Sequence, residues 1–354
     1  MTMNIKRILP PSVRATAKPD NTPSAPDAVR ITNETVAARR DEVLGSARKY
    51  IYPLQASKHR IVKLSVGIFV TAIIGFFVFC GLELYKFQAT SSFIYGVTRV
   101  LPFPVAVIGR TYVVSYNTYL FELRHYMHYY QTQQHAEFDT KAGKQQLAVF
   151  RQRSLDQTMQ AAYVERLASQ HHVSVSEREI DTVMALVRAQ NRLGASEQVF
   201  QNVLAEFWGW SVNDFRRELR QELLAQKVVD VLDTRTHERA NQALASLQRG
   251  ADFADLAKQV SDDAVTRQSG GDYGIAINKA ATAIAPQVVA QLFQMKPGTY
   301  SWVINTGYDL EIVKLTDVQG TTVHASHMSF TFRPVTDYTK PLESQEKPRI
   351  FIRV

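Results

Sequence analysis

The sequence predicts a mixed α+β chain with an N-terminal transmembrane helix, an all-α module and then a compact α+β domain. Three observations carry that prediction. Leu64 to Leu82 is a run of 19 residues without a charge, close to the ~20 apolar residues that cross a hydrocarbon core of roughly 30 Å. From Gln145 to Leu232 apolar residues recur at helical spacing almost throughout. From Arg249 to Lys314 the order becomes helix, Gly-rich turn, helix, turn and alternating strand. The expected divisions are a tail over 1–60, a membrane helix over 61–85, a helical module over 86–236 and the α+β domain over 237–354.

The tail comes first. Residues 1–60 carry 11 Lys/Arg against 5 Asp/Glu, so most of the net charge of +8 sits there. The basic excess therefore belongs to a tail rather than to a binding domain, and nucleic-acid binding is not expected. Pro10, Pro11, Pro19, Pro23 and Pro26 among Ser, Thr and Asn leave residues 1–30 little to bury, which reads as disorder. A short helix fits Thr35 to Tyr50. The single cysteine, Cys80, excludes an intrachain disulfide framework.

Lys58, Arg60 and Lys63 precede the apolar run, and Glu83 and Lys86 follow it. The positive-inside rule then predicts a single-pass anchor, with a cytoplasmic N-terminus and everything after residue 85 extracytoplasmic. A cleaved signal peptide fits poorly, because the apolar stretch is too long and no A-x-A site follows.

Beyond the anchor, residues 103–130 read as a short strand, a turn at Gly109 and an amphipathic helix. His125 and His128 lie three apart on that helix, with Glu122 one turn earlier, but spacing suggests no fourth ligand. No metal or cofactor is expected. Breaks near Val173 to Ser176 and Asn191 to Ser196 divide the helical region. Ser174 or Ser176 before Glu177 and Glu179, and Ser211 before Asp214, supply N-cap contexts. Phe207, Trp208 and Trp210 sit together in a connection; they either line a groove for apolar peptide or pack the helical core.

In the last domain Ala240, Ala243, Leu244 and Leu247 form a helical stripe that Gly250 ends. Asp252 can cap a second helix with the stripe Phe253, Leu256, Ala257 and Val260. The run Ser269 to Gly274 offers a turn with positive φ at its glycine pair. A helix around Val288 to Phe293, a Pro297-Gly298 turn and a strand over Leu310 to Leu315 follow.

These residues resemble a parvulin (PpiC-type) peptidyl-prolyl isomerase domain. Gly250, Asp252, Phe253, Leu256, Ala257, Ser261 and Asp263 fit its opening pattern; Gly270, Gly271, Asp272 and Gly274 fit its G-G-D-L-G; Phe293, Gly298, Ser301 and Lys314 fit the remainder. The stretch over 103–233, with V-S-E-x-E-I-D and W-S-V-N-D-F-R-R-E-L, is similar to the N-terminal helical module of SurA/PrsA-type chaperones. The combined resemblance implies a SurA/PrsA-like foldase whose clients are unfolded or proline-containing polypeptides.

It also implies a site. Asp263 matches the family's Cys/Asp position, Ile284 and Val288 its pocket Met and Phe, and Glu311 stands where the last-strand His belongs. That Glu adds unfavourable like charge beside Asp263. The A-S-H motif of the first strand is missing from its usual place and appears late, as Ala325-Ser326-His327-Met328. A hairpin through Gln319-Gly320 would return this strand to the first-strand slot, making the domain circularly permuted; the rival reading is a truncated second repeat. The implied set is His327 and Asp263 as catalytic residues, with Ile284, Val288, Phe293, Glu311 and Met328 binding substrate. A working isomerase and an inactive, polypeptide-binding holdase both remain open.

Overall fold

The structure, a computed structural model, describes residues 31–189 and 196–354, and the side chains over 49–58 lie outside that description. The disorder expected for 1–30 therefore lies outside the described residues, as does most of the break at 191–196. Two units divide the chain, Met1–Val78 and Phe79–Val354.

Helix α1 runs from Asn33 to Gly81. The short helix expected at Thr35 to Tyr50 within the 1–60 tail is thus the start of a longer one, helical from Asn33 onward. It continues into a π-helical turn over Leu82–Lys86, and the stretch His59–Lys86 is, by length and composition, long and apolar enough to cross a membrane. Ile61, Leu64, Ile68, Phe69, Ile73 and Phe77 are all exposed, as a helix apolar on every face requires when its solvent is lipid.

In the second unit, α2 (Ser92–Val100) is capped by Ser91, whose hydroxyl accepts from the Ile94 N–H. Strands β1 (Pro104–Ile108) and β2 (Tyr112–Ser115) form a hairpin turning at Gly109. Then come α3 (Tyr116–Gln133), α4 (Lys141–Gln170), α5 (Glu177–Ala189), α6 (Glu197–Val203) and α7 (Val212–Leu232). Both expected caps form. Ser176 and Glu179 exchange backbone bonds before α5, and Ser211 and Asp214 make a capping box before α7. Trp208 and Trp210 pack on Met184, Phe200 and Leu204, which favours the core-packing reading for them, whereas Phe207 stays exposed.

The remaining elements are α8 (Thr234–Gln248), α9 (Phe253–Val260), α10 (Pro286–Leu292), β3 (Ile304–Asn305), β4 (Asp309–Gln319), β5 (Thr322–Thr331), α11 (Thr336–Gln345) and β6 (Pro348–Ile350). Strands β3, β4 and β5 make an antiparallel sheet. The β4–β5 hairpin closes on Gly320-Thr321, with Gln319 opposite Thr322. Asp272 and Ile277 bridge the far side of β5 to Ser326 and Val323. The late strand is therefore an inner strand, flanked by β4 and by the Gly-rich segment.

The sheet buries both faces. Leu310, Ile312, Met328 and Phe330 meet α8 and α9 through Ala240, Ala243, Phe253 and Ala257. Val313, Leu315, Val323 and Ala325 meet α10 through Val288, Val289 and Leu292. The strand period of two sorts these residues onto opposite faces.

Within the helical module the strand expected before Gly109 forms as β1 and pairs with β2. One boundary differs from expectation: the α+β domain does not keep everything after 237. Strand β6 pairs with β1, and Leu342 and Ile352 join the core built by α3, α4 and β1. Arg166 holds Glu346 through both carboxylate oxygens at 3.0 and 3.1 Å, and the Tyr163 hydroxyl donates to the Glu346 carbonyl at 2.9 Å. Strand β6 is thus an edge strand of the β2-β1-β6 sheet.

Candidate functional site

The face of β4 and β5 that carries Val313 and Ala325 turns polar toward one end, where Glu311, His327, Ser329 and Asp309 follow. His327 pairs in register with Val313, and its N–H donates to the Gly271 carbonyl at 2.8 Å. A Cβ at Gly271 would stand 2.1 Å from the His327 carbonyl oxygen, and its φ is +83°. Only glycine lets the two backbones approach so closely.

Asp263 arrives from the loop after α9. Its Oδ1 accepts from the Val265 N–H at 3.0 Å and its Oδ2 from the Thr266 hydroxyl at 2.6 Å. The loop is stitched to β5 by Asp262 N–H to the Ser329 carbonyl at 2.8 Å and Ser329 N–H to the Ser261 hydroxyl at 3.2 Å. Arg239 grips Asp262 at 2.7 and 2.9 Å.

Between these elements lies the imidazole. Nδ1 of His327 is 2.9 Å from Glu311 Oε2, and Nε2 is 2.9 Å from both Asp263 Oδ2 and Thr266 Oγ1. Thr266 spends its proton on Asp263, so its oxygen accepts from Nε2. Both ring nitrogens then face acceptors, an arrangement that favours the imidazolium. Burial pulls the His327 pKa down, but Glu311 and Asp263 outweigh it and the net shift is upward. For Asp263, burial pushes up, and the bonds from Thr266, Val265 and His327 bring it below the usual carboxylate range. The unfavourable like charge expected between Glu311 and Asp263 is relieved because the cationic ring sits between them.

Tyr273 completes the cluster. Its ring stacks on the imidazole, centroids 4.2 Å apart and planes 22° from parallel, and its hydroxyl donates to Glu311 Oε2 at 2.9 Å. Burial, then the Glu311 carboxylate, pushes this phenol far above its ordinary value. Asp309, raised by burial and by Glu311, accepts from the Ser329 hydroxyl.

The structure thus brings His327, Asp263 and Glu311 together. The four other expected site residues go elsewhere. Ile284 and Val288 are buried in the core under α10, and Met328 on the opposite face against α8 and α9. Their apolar side chains fill the sheet's two cores rather than a pocket. Phe293 lines a cleft of about 610 Å³ with Lys279, Pro286, Val289, Leu186 and Ala189, which none of His327, Asp263 and Glu311 borders. Sequence reasoning missed Thr266 and Tyr273. The available signal for Tyr273 was a tyrosine in Gly-Gly-Asp-Tyr-Gly where the pattern has leucine. His125 and His128 hold backbone carbonyls, of Trp208 and Glu206.

Comparison with known proteins agrees with this architecture. Residues 226–317 match the PPIC-type PPIASE domain (Rotamase), and residues 55–229 match the SurA-like N-terminal domain. The periplasmic chaperone PpiD of Escherichia coli K12 is 33% identical over 88 residues, 25% of this chain and 14% of that protein. The foldase protein PrsA of Caldanaerobacter subterraneus is 25% identical over 186 residues, 49% of this chain and 58% of that protein. The chain therefore spans less than two thirds of either relative's length. A crystal structure of foldase protein PrsA from Streptococcus pneumoniae overlaps 58% of this chain and 81% of its own, at 19% identity and a TM-score of 0.20. With a SurA-like N-terminal domain running into a PPIC-type domain, the chain belongs to the SurA/PrsA-like parvulin foldases.

Proposed function

We propose that this protein is an extracytoplasmic folding factor, anchored by the apolar part of α1 with its N-terminus in the cytoplasm, that isomerises prolyl bonds in unfolded clients. The observation that carries the reading is His327 held at both ring nitrogens by Glu311 and Asp263 on the sheet of a PPIC-type domain. Rotation about an X–Pro bond meets a barrier of ~18–20 kcal/mol, and a reduction of ~4–6 kcal/mol accelerates it roughly 10³- to 10⁴-fold. No covalent step is needed. Both ring N–H groups are committed to Glu311 and Asp263, so the imidazole does not itself hydrogen-bond the amide. A fixed charge cluster away from water can instead stabilise the twisted amide over the planar one electrostatically.

A second reading has its own support. Ile284, Val288 and Met328 are core residues, and His327 is 6% exposed, so an enclosed domain that binds clients elsewhere as a holdase also fits. The deciding experiment is prolyl exchange on an X–Pro peptide with the full chain in detergent, beside His327→Ala and Asp263→Ala. Acceleration lost in both variants establishes the isomerase. A folded chain that gives none yet suppresses aggregation of an unfolded client establishes the holdase.

A further inference from the structure

The imidazole that the isomerase reading relies on is covered by a side chain of the same molecule. His327 is buried, whereas Tyr273, stacked upon it, is only half-buried. The phenol ring therefore covers the face of the imidazole on which it stacks. Its hydroxyl is pinned to Glu311, the same carboxylate oxygen that holds His327 Nδ1. A planar group stacked at 4.2 Å occupies the volume that any ligand would need in order to touch that ring face.

The backbone beneath this cover is fixed. Tyr273 N–H donates to the Ala325 carbonyl at 3.2 Å, and Gly271 accepts from His327 N–H. Asp272 bridges to Ser326. Loop opening would break this ladder, whereas rotation of one side chain about χ1 leaves it intact and breaks the stack, the bond to Glu311 and the packing of the ring against the core under α10. We propose that Tyr273 is the gate of the His327 site: the phenol closes it at rest, and a prolyl segment enters only when that ring swings out. The inference rests on the isomerase reading for the identity of the ligand, but not for the gate.

The test reads the gate separately from the chemistry. Labelling of the His327 ring N–H groups by solvent deuterium, followed by NMR, is measured alongside prolyl exchange in wild type, Tyr273→Phe and Tyr273→Leu. Tyr273→Phe keeps the ring and removes the pin, so the open rotamer gains population and His327 labelling rises about tenfold. Tyr273→Leu removes the cover, and labelling rises further. Faster prolyl exchange in the same order supports gate and isomerase together. Increased labelling without exchange supports the gate and overturns the isomerase. Labelling equal in all three proteins overturns the gate whatever the activity. Should Tyr273→Leu fail to fold, the near-isosteric Tyr273→Phe decides alone.

Discussion

His327 and Glu311 are diagonal neighbours on one face of the β4–β5 ladder. Glu311 stands opposite Ser329, two residues beyond His327, and its Oε2 reaches His327 Nδ1 at 2.9 Å. Such diagonal pairs lie within reach of long side chains. The contact has a pH signature. The folded His327 pKa is raised, so its stabilisation is complete below the ordinary value of about 6.5 and is lost as pH rises through the folded value. Glu311→Gln should lower the His327 pKa in an NMR titration. The stability gap between Glu311→Gln and wild type in urea should be widest below that ordinary value and close in alkali. An unmoved His327 titration would refute the pairing.

Gly271→Ala should be among the most damaging single changes in the domain. The new Cβ meets the His327 carbonyl at 2.1 Å, and the backbone is left-handed, so a loss of ~2 kcal/mol or more is expected. Gly274→Ala is the control, since nothing lies within 4 Å of its Cβ and only the ~1–2 kcal/mol left-handed cost applies. Equal midpoints for the two variants in urea would contradict the close approach.

Glu122 lies on the wall of a cleft between α3, α4 and α7, near Glu218. Burial and then the Glu218 charge push it up to about 7, against the pull of Arg217. A raised carboxyl binds its proton more tightly when folded, so stability falls as pH rises through that value. Glu122→Gln should therefore be more stable than wild type at alkaline pH, by ~1–2 kcal/mol after allowance for solvent screening. The advantage should vanish in acid. A gap independent of pH would sink this account.

The grip of Arg166 on Glu346 is two-pronged but partly exposed. Glu346→Gln should cost ~0.5–1 kcal/mol, measured as a lower urea midpoint with an unchanged slope. No shift in the midpoint would show that α11 and β6 are held by their apolar contacts alone.

Local signals in the chain were legible, and long-range ones were not. Ser176, Ser211 and Asp252 announce their helices because a cap is a contact over three residues. The β4–β5 hairpin and its histidine could be found because alternation and a Gly-containing turn are likewise local. Nothing in Pro348–Ile350 points to a partner strand more than two hundred residues earlier. An apolar residue such as Val288 looks the same in sequence whether it lines a pocket or fills a core. The helix expected at Thr35 to Tyr50 runs on past Tyr50 without a break, and its length was not legible because a charged and polar surface offers no buried stripe to follow. Tyr273 was hidden by its turn, whose glycines drew attention to the backbone rather than to the side chain they present.

The pairing of β6 with β1 has a consequence for how the molecule is made. A chain delivered N-terminus first exposes Val105, Ala106 and Ile108 long before Arg349 and Ile350 exist to cover that edge. The whole sheet domain is then spliced into a helical module that cannot close until it has been synthesised. An unpaired apolar edge awaiting so distant a partner is slow to be matched and open to foreign strands meanwhile. A chain so wired passes through an interval in which one edge of β1 stands unpaired.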